Sequence, residues 1–200
     1  MKNINILFIG LSSLFLLIGC GPKKENDNPK EITAEEFNAI LTKAEEPNYS
    51  GATIHATEKI VGTGDFAQNR FEERTEEYTH YADTDAWIVE DGDSLLRKYI
   101  YDFSSLESLK SWVENPELSY SYKFYSDLTV KIKEDGTFVD NMMGANRTVD
   151  IDSQMTITIN KFGYLASLKG TYNQNITQVS GDTTYRGTKS GESNIEITYR

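Results

Sequence analysis

The stretch "TVDIDSQMTITIN", residues 148–160, places Val149, Ile151, Met155, Ile157 and Ile159 at odd positions, and Thr148, Asp150, Asp152, Gln154, Thr156 and Thr158 at even ones. A strand sends successive side chains to opposite faces, so this segment reads as a strand with one face on a core and the other in water. Strands buried on one face only belong to antiparallel sheets, because a parallel sheet is covered on both.

The same period recurs along most of the chain. Ala52, Ile54 and Ala56 share one face of a strand that carries Thr53, His55 and Thr57 on the other. A polar-faced strand is expected at "RFEERTEEYTHY" (70–81) and a short one at "AWIVE" (86–90), and Asp91-Gly92 signals a hairpin into a strand at "LLRKYIYDF" (95–103). Further strands are expected at "YSYKFY" (120–125) and "LTVKIK" (128–133), then through an Asp135-Gly136 hairpin to "TFVDNM" (137–142). After a turn near Asn160–Gly163 come "YLASLKGTYNQNITQ" (164–178) and "NIEITYR" (194–200). The pattern amounts to about eleven strands, all of the one-sided kind.

Two helices interrupt them. In "TAEEFNAILTKAEEP" (33–47), Thr33 and Glu36 form a capping box, Phe37, Ile40, Leu41 and Ala44 make an apolar stripe, and Pro47 is the stop. In "SSLESLKSWVENP" (104–116), Ser104 and Glu107 form the box, Leu106, Leu109 and Val113 the stripe, and Pro116 the end. The expected fold is mainly β (α+β): a large curved antiparallel sheet with both helices against it, the first on the concave side.

At the N-terminus, "MKNINILFIGLSSLFLLIGC" has Lys2, an apolar stretch from Ile4 to Ile18 and a small residue before Cys20, the layout of an export signal. Interrupted by Asn5, Gly10, Ser12 and Ser13, that stretch is short for a bilayer span of about 20 residues. Leu17-Ile18-Gly19-Cys20 resembles the lipobox of bacterial lipoproteins. The resemblance implies cleavage between Gly19 and Cys20, a diacylglyceryl group on the Cys20 sulfur, and a mature chain that starts at Cys20 with palmitate-type acyl chains in a membrane. Cys20 is the only cysteine, so no disulfide within the chain competes with that role. The expected division is a signal at 1–19, the lipidated cysteine and a flexible tether at 20–32, and one domain at 33–200. The tether "GPKKENDNPKE" (21–31) is polar and holds two prolines, and its three lysines, Lys23, Lys24 and Lys30, are too few for an anionic-lipid cluster.

The mature organisation is similar to the half-barrel carriers of the LolA and LppX type. The likeness rests on an amphipathic helix after a lipobox, on meandering strands, and on "MTITINKFGYLASLKGTY" (155–172), where one strand passes into the next through Asn-Lys-Phe-Gly. It implies a carrier of lipids or lipoproteins and transfers no site residue.

Chemistry is sparse. The formal charge of −11 becomes −12 once Lys2 leaves with the signal, which argues against nucleic acid as a partner. No nucleophile elbow, metalloprotease helix or phosphate loop occurs, so neither an enzyme nor a cofactor is expected. His55 and His80 read as solvent-facing, although the two could be neighbours across a sheet. The acidic run "FEERTEE" (71–77) reads as a charged outer face, with a share in protecting a sheet edge, rather than as a calcium site, because a strand splits its carboxylates between two faces. Asp150 and Asp152 share a solvated face. The matches at Asn146 and Asn175 to the glycosylation pattern are chance in a bacterial lipoprotein.

Shape remains. Ala52, Ile54 and Ala56 on one strand and Tyr120, Tyr122 and Phe124 on another are the residues expected to face an apolar ligand between helix and sheet; the plainer reading is that they pack the core. The expected protein is a monomeric, membrane-anchored, non-enzymatic module for a lipid or other hydrophobic ligand, exported to the outer face of a bacterial membrane, the cell membrane before the outer membrane. The alternative is a cell-envelope interaction protein with a filled core, binding another protein through its outer strands.

Overall fold

The computed structural model describes residues 29–42, 49–89, 94–142 and 145–200. The signal, the lipobox with Gly19 and Cys20, most of the tether, Pro47 and Asp91-Gly92 lie outside the described residues.

The chain is mainly β, as its period-two patterning requires. Nine strands form one antiparallel sheet: β1 (Glu31–Ile32), β2 (Gly51–Gly62), β3 (Gln68–Tyr81), β4 (Ala86–Val89), β5 (Ser119–Tyr125), β6 (Thr129–Met142), β7 (Ala145–Ile159), β8 (Leu165–Ser180) and β9 (Thr183–Tyr199). Their order across the sheet is β1, β5, β6, β7, β8, β9, β2, β3, β4. Two helices, α1 (Ala34–Leu41) and α2 (Leu106–Val113), accompany it.

The count of about eleven strands is corrected to nine among the described residues. Asp135-Gly136 is no hairpin: both residues pair with β7, opposite Asp152 and Ile151, and β6 runs through them. Gly136 holds φ +138°, a conformation that side chains rarely adopt, so the glycine that looked like a turn is what lets the strand continue. Residues 95–103 are not a strand either. They form a short 3₁₀ turn at Arg97–Tyr99 with Leu96, Tyr99 and Phe103 buried, a spacing of three and four that an extended chain cannot aim at one core. In the other direction Glu31 and Ile32, read as the end of the tether, pair with Tyr125 and Phe124 as β1.

The curvature expected of a half-barrel is also corrected: the sheet is neither closed nor strongly curled. Sheets curl at bulges and glycine kinks, and the described ladders carry a single register shift, between Thr158 and Ile159.

One face, called inner here, holds the core. Ala52, Ile54, Ala56, Tyr78, Val130, Ile132, Met155, Ile157, Leu168, Ile195 and Ile197 point from the strands toward Phe37 and Leu41 of α1 and Leu106, Leu109 and Val113 of α2. The Thr33–Glu36 capping box forms as expected, with Glu36 N donating to Thr33 Oγ1 at 3.1 Å and Thr33 N to Glu36 Oε2 at 2.8 Å. The box of α2 lies one residue later than expected, between Ser105 and Ser108, because Leu106 is the first residue of the helix and leaves Ser104 outside it. The apolar stripe of α2 is unaffected. Asn38 Oδ1 accepts from Leu106 N at 2.9 Å, so the side of α1 ties down the start of α2.

Candidate functional site

The parity that makes the core also carries polar residues into it. On β2, Glu58 continues the series Ala52, Ile54, Ala56 and is followed by Ile60, so its side chain enters the inner face and is only 1% exposed. On β9, Ser193 continues Ile197 and Ile195, is 3% exposed, and lies directly opposite Glu58 in the β2–β9 register. The inner positions of β3 are Arg70, Glu72, Arg74, Glu76 and Tyr78, which face Ile60, Glu58, Ala56, Ile54 and Ala52. The expectation that 71–77 is purely an outer charged face is thereby corrected: every second residue of the run belongs to the inner side.

Two clusters result. Arg70 Nη2 donates to Glu58 Oε2 at 2.5 Å, and Arg70 Nη1 lies 3.5 Å from Glu72 Oε1. Glu76, itself buried, accepts from the Tyr78 hydroxyl, from Arg74 Nη1 at 3.3 Å and from Leu96 N at 3.0 Å. Glu58 Oε1 and Ser193 Oγ have no hydrogen-bond partner among the described residues. Buried polar atoms are seldom left so, and the next facing pair in the same register, Thr57 Oγ1 and Asn194 Oδ1, is likewise without a partner among the described residues.

The electrostatics agree with that geometry. Burial pushes the Glu58 carboxyl above its ordinary range, opposed by the hydrogen bond from Arg70. Burial lowers the Lys98 ammonium, opposed by the charge of Glu58. Burial, with Glu58 second, pushes the Tyr172 phenol up to about 12, and the same causes raise Tyr99. Glu58 therefore lies within electrostatic reach of Lys98, Tyr99, Tyr172 and Arg70. A third buried acidic group, Glu134 of β6, is satisfied: it accepts from Tyr120 Oη at 2.8 Å and Ser153 Oγ at 2.6 Å.

The Tyr172 ring takes its place because Gly191 has no side chain. A Cβ at Gly191 would lie 2.4 Å from the Tyr172 ring. Gly191→Ala is therefore expected to cost about 1–3 kcal/mol, the usual penalty of overpacking, read as a lower urea midpoint. In a Tyr172→Ala background the penalty should shrink, since the two sites share one space. An equal penalty in both backgrounds would contradict this packing.

The six residues read as ligand-facing share the inner face but not one place. Ala52, Ile54 and Ala56 are at most 3% exposed, under the helices on β2. Tyr120, Tyr122 and Phe124 are on β5, with β6, β7, β8 and β9 between the two groups. The β5 rings form a stacked row, with centroids 6.3 and 6.0 Å apart, and Phe124 meets Phe37 at 5.0 Å. The Tyr122 hydroxyl donates to Glu114 at 2.7 Å, so both tyrosine hydroxyls of the row are held by carboxylates.

The histidines are separated, not neighbours. His55 is on the outer face with Thr75 Oγ1 at 3.0 Å and Glu73 Oε1 at 3.4 Å. His80 stacks on Trp87 at 4.4 Å, with Nδ1 2.9 Å from Tyr49 O and Nε2 3.1 Å from Asp85. Asp150 and Asp152 share the exposed outer face, where Asp150 accepts from Thr137 and Asn175, each at 3.3 Å. Asn146 and Asn175 lie on β7 and β8. Among the described residues no three His, Cys, Asp or Glu are grouped to hold a metal ion, and no helix is long and apolar enough to cross a membrane.

Comparison with protein families, curated proteins and solved structures found no match to the chain.

Proposed function

We propose that the protein is a bacterial lipoprotein, anchored through acyl chains on Cys20, whose domain is a non-enzymatic binding module for an amphipathic lipid-like ligand. In this reading the domain is an opened-out variant of the half-barrel carriers, and the tether holds it at the outer face of the membrane. The observation that carries the proposal is the pair of unpartnered oxygens, Glu58 Oε1 and Ser193 Oγ, at the border of the apolar core. An acceptor beside a hydroxyl suits a hydroxyl-bearing head group, and the apolar residues next to them suit its chain.

The test is native mass spectrometry of the full chain extracted in detergent and challenged with monoacylglycerol. The expected result is a bound adduct in the wild type that falls several-fold in Glu58→Gln and again in Ser193→Ala. No adduct in the wild type, or equal adducts in all three proteins, sinks the ligand. The anchor is tested on the same material: Cys20→Ala should abolish the acyl mass and release the domain from membranes.

A second reading has one observation in its favour. The near-complete burial of Ala52, Ile54 and Ala56 describes a core already filled by protein. A filled core suits an interaction protein of the cell envelope that presents strands rather than a cavity.

A further inference from the structure

Beyond Ser193 the inner positions of β9 run through Gly191 to Lys189, which lies opposite Gly62 of β2 and Gln174 of β8. Gly62 and Gly187 have no side chains, and the turn after β2 packs directly onto both: a Cβ at Gly187 would lie 2.1 Å from Thr63 O, and one at Gly62 2.0 Å from Phe66 O. That turn sets the Phe66 ring beside Lys189, whose Nζ is 5.6 Å from the ring centroid. Two further cations enter from the same face. Arg70 of β3 lies opposite Ile60, one inner position from Gly62. Arg147 of β7 lies two inner positions beyond Ile151, the residue paired with Gln174. Both are close enough for their charges to act on Lys189.

Lys189 differs from the two guanidinium groups in what answers its charge. Arg147 Nε lies 3.0 and 3.2 Å from the two Asp140 carboxylate oxygens, and Nη2 donates to the same group. Arg70 Nη2 donates to Glu58 at 2.5 Å. Half-buried Lys189 takes part in no ion pair among the described residues. Burial lowers its ammonium below the ordinary range, and the positive charges of Arg147 and Arg70 lower it further. Like charges gathered out of water disfavour the charged form unless an anion joins them. Donors are at hand for one, since Arg147 Nη1 and Arg70 Nε stand outside the carboxylate contacts.

We propose that Lys189, Arg147 and Arg70 form a site for a phosphate group. A terminal phosphate offers three oxygens, one for each cation, and guanidinium and ammonium groups are its usual partners. A carboxylate offers two oxygens and would leave one of the three cations unanswered. The spot is a local exception in a chain of formal charge −11, whose overall field repels anions. It lies two inner positions along β9 from Ser193 and does not depend on the ligand proposed above.

Phosphorus NMR of the full chain in detergent tests it, with inorganic phosphate and lysophosphatidic acid as separate probes. The expected result is a saturable shift of the phosphorus signal of at least one probe on adding the wild type. Affinity should fall several-fold in Lys189→Met and hold in Lys133→Met, which removes the same charge from an exposed position on the outer face. A response to inorganic phosphate assigns the site to the phosphate group alone, and a response confined to lysophosphatidic acid assigns it to a lipid head group. Without either probe, Lys189→Met should keep or raise the urea midpoint, because it removes a repelled charge and retains the stem. No response to either probe, equal losses in the two variants, or a lower midpoint in Lys189→Met would overturn the proposal.

Discussion

Arg70→Met is expected to destabilise the fold by about 3 kcal/mol, because it leaves the Glu58 carboxylate buried without its cation. The figure is set at the low end of the range for broken buried pairs, since Glu58 is 1% exposed but Arg70 is 44% exposed and partly screened by water. The double variant Glu58→Met/Arg70→Met should recover most of the loss, as an apolar pair of similar volume leaves no charge to desolvate. The effect should also depend on pH. Burial raises the Glu58 carboxyl above its unfolded value, so the folded state binds a proton more readily, and this group's contribution to stability falls as pH rises through its folded pKa. Acidification from pH 7 to 5 should therefore reduce the penalty of Arg70→Met, because protonation removes the charge that has lost its partner. Urea midpoints at the two pH values read both effects. A penalty below about 0.5 kcal/mol, in the range of ordinary surface substitutions, or one unchanged by pH, would mean that Glu58 does not need Arg70.

Phe37→Ala should be at least as costly, about 3–5 kcal/mol for a fully buried phenylalanine. Phe37 is 0% exposed, and α1 has only eight residues, too few to persist without tertiary packing. Its loss removes the contact with Phe124 and loosens Asn38, which caps the first residue of α2. Hydrogen exchange should then show α1 and the start of α2 losing protection before the ladders of β7, β8 and β9. Unchanged protection of α1 would show that Leu41 and the capping box suffice to hold it.

The sheet was readable from sequence wherever apolar residues dominated one parity, as at Val149–Ile159, where Ser153 is the one polar member, and at Ala52–Ala56. It was misread where a residue type carried a stronger local meaning than its surroundings. Asp135-Gly136 has the composition of a hairpin, but the alternation of Val130, Ile132 and Glu134 runs into it in phase, and pairing with β7 prevails over turn preference. In residues 95–103 an apolar run long enough for a strand instead provides three core anchors at helical spacing. Ser105 displaces Ser104 as a cap because either serine is chemically adequate, and the position of Leu106 against the core decides between them.

The candidate site was missed for a related reason. Glu58, Ser193, Glu134 and Glu76 share the parity of apolar neighbours, and carrying that parity through them would have placed all four inside. Of the four only Glu76 entered the sequence reading, within the run 71–77 taken as a charged outer face. What the sequence does not carry is which of them finds a partner: Glu134 is met by Tyr120 and Ser153 from other strands, whereas Glu58 keeps one oxygen free.

The position of β9 bears on how the molecule comes to exist at all. Ile195 lies between Leu168 of β8 and Ala56 of β2, so among the described residues β9 is the strand that joins the β2–β4 segment to the β5–β8 meander. Without β9, strands β2 and β8 would each present a long unpaired edge. Closure depends on contacts more than a hundred positions apart in sequence, the kind that makes folding slow and leaves edges exposed to aggregation meanwhile. The sheet is therefore continuous only with β9 in place, and shielding β2 and β8 before then would guard those edges against pairing with other chains.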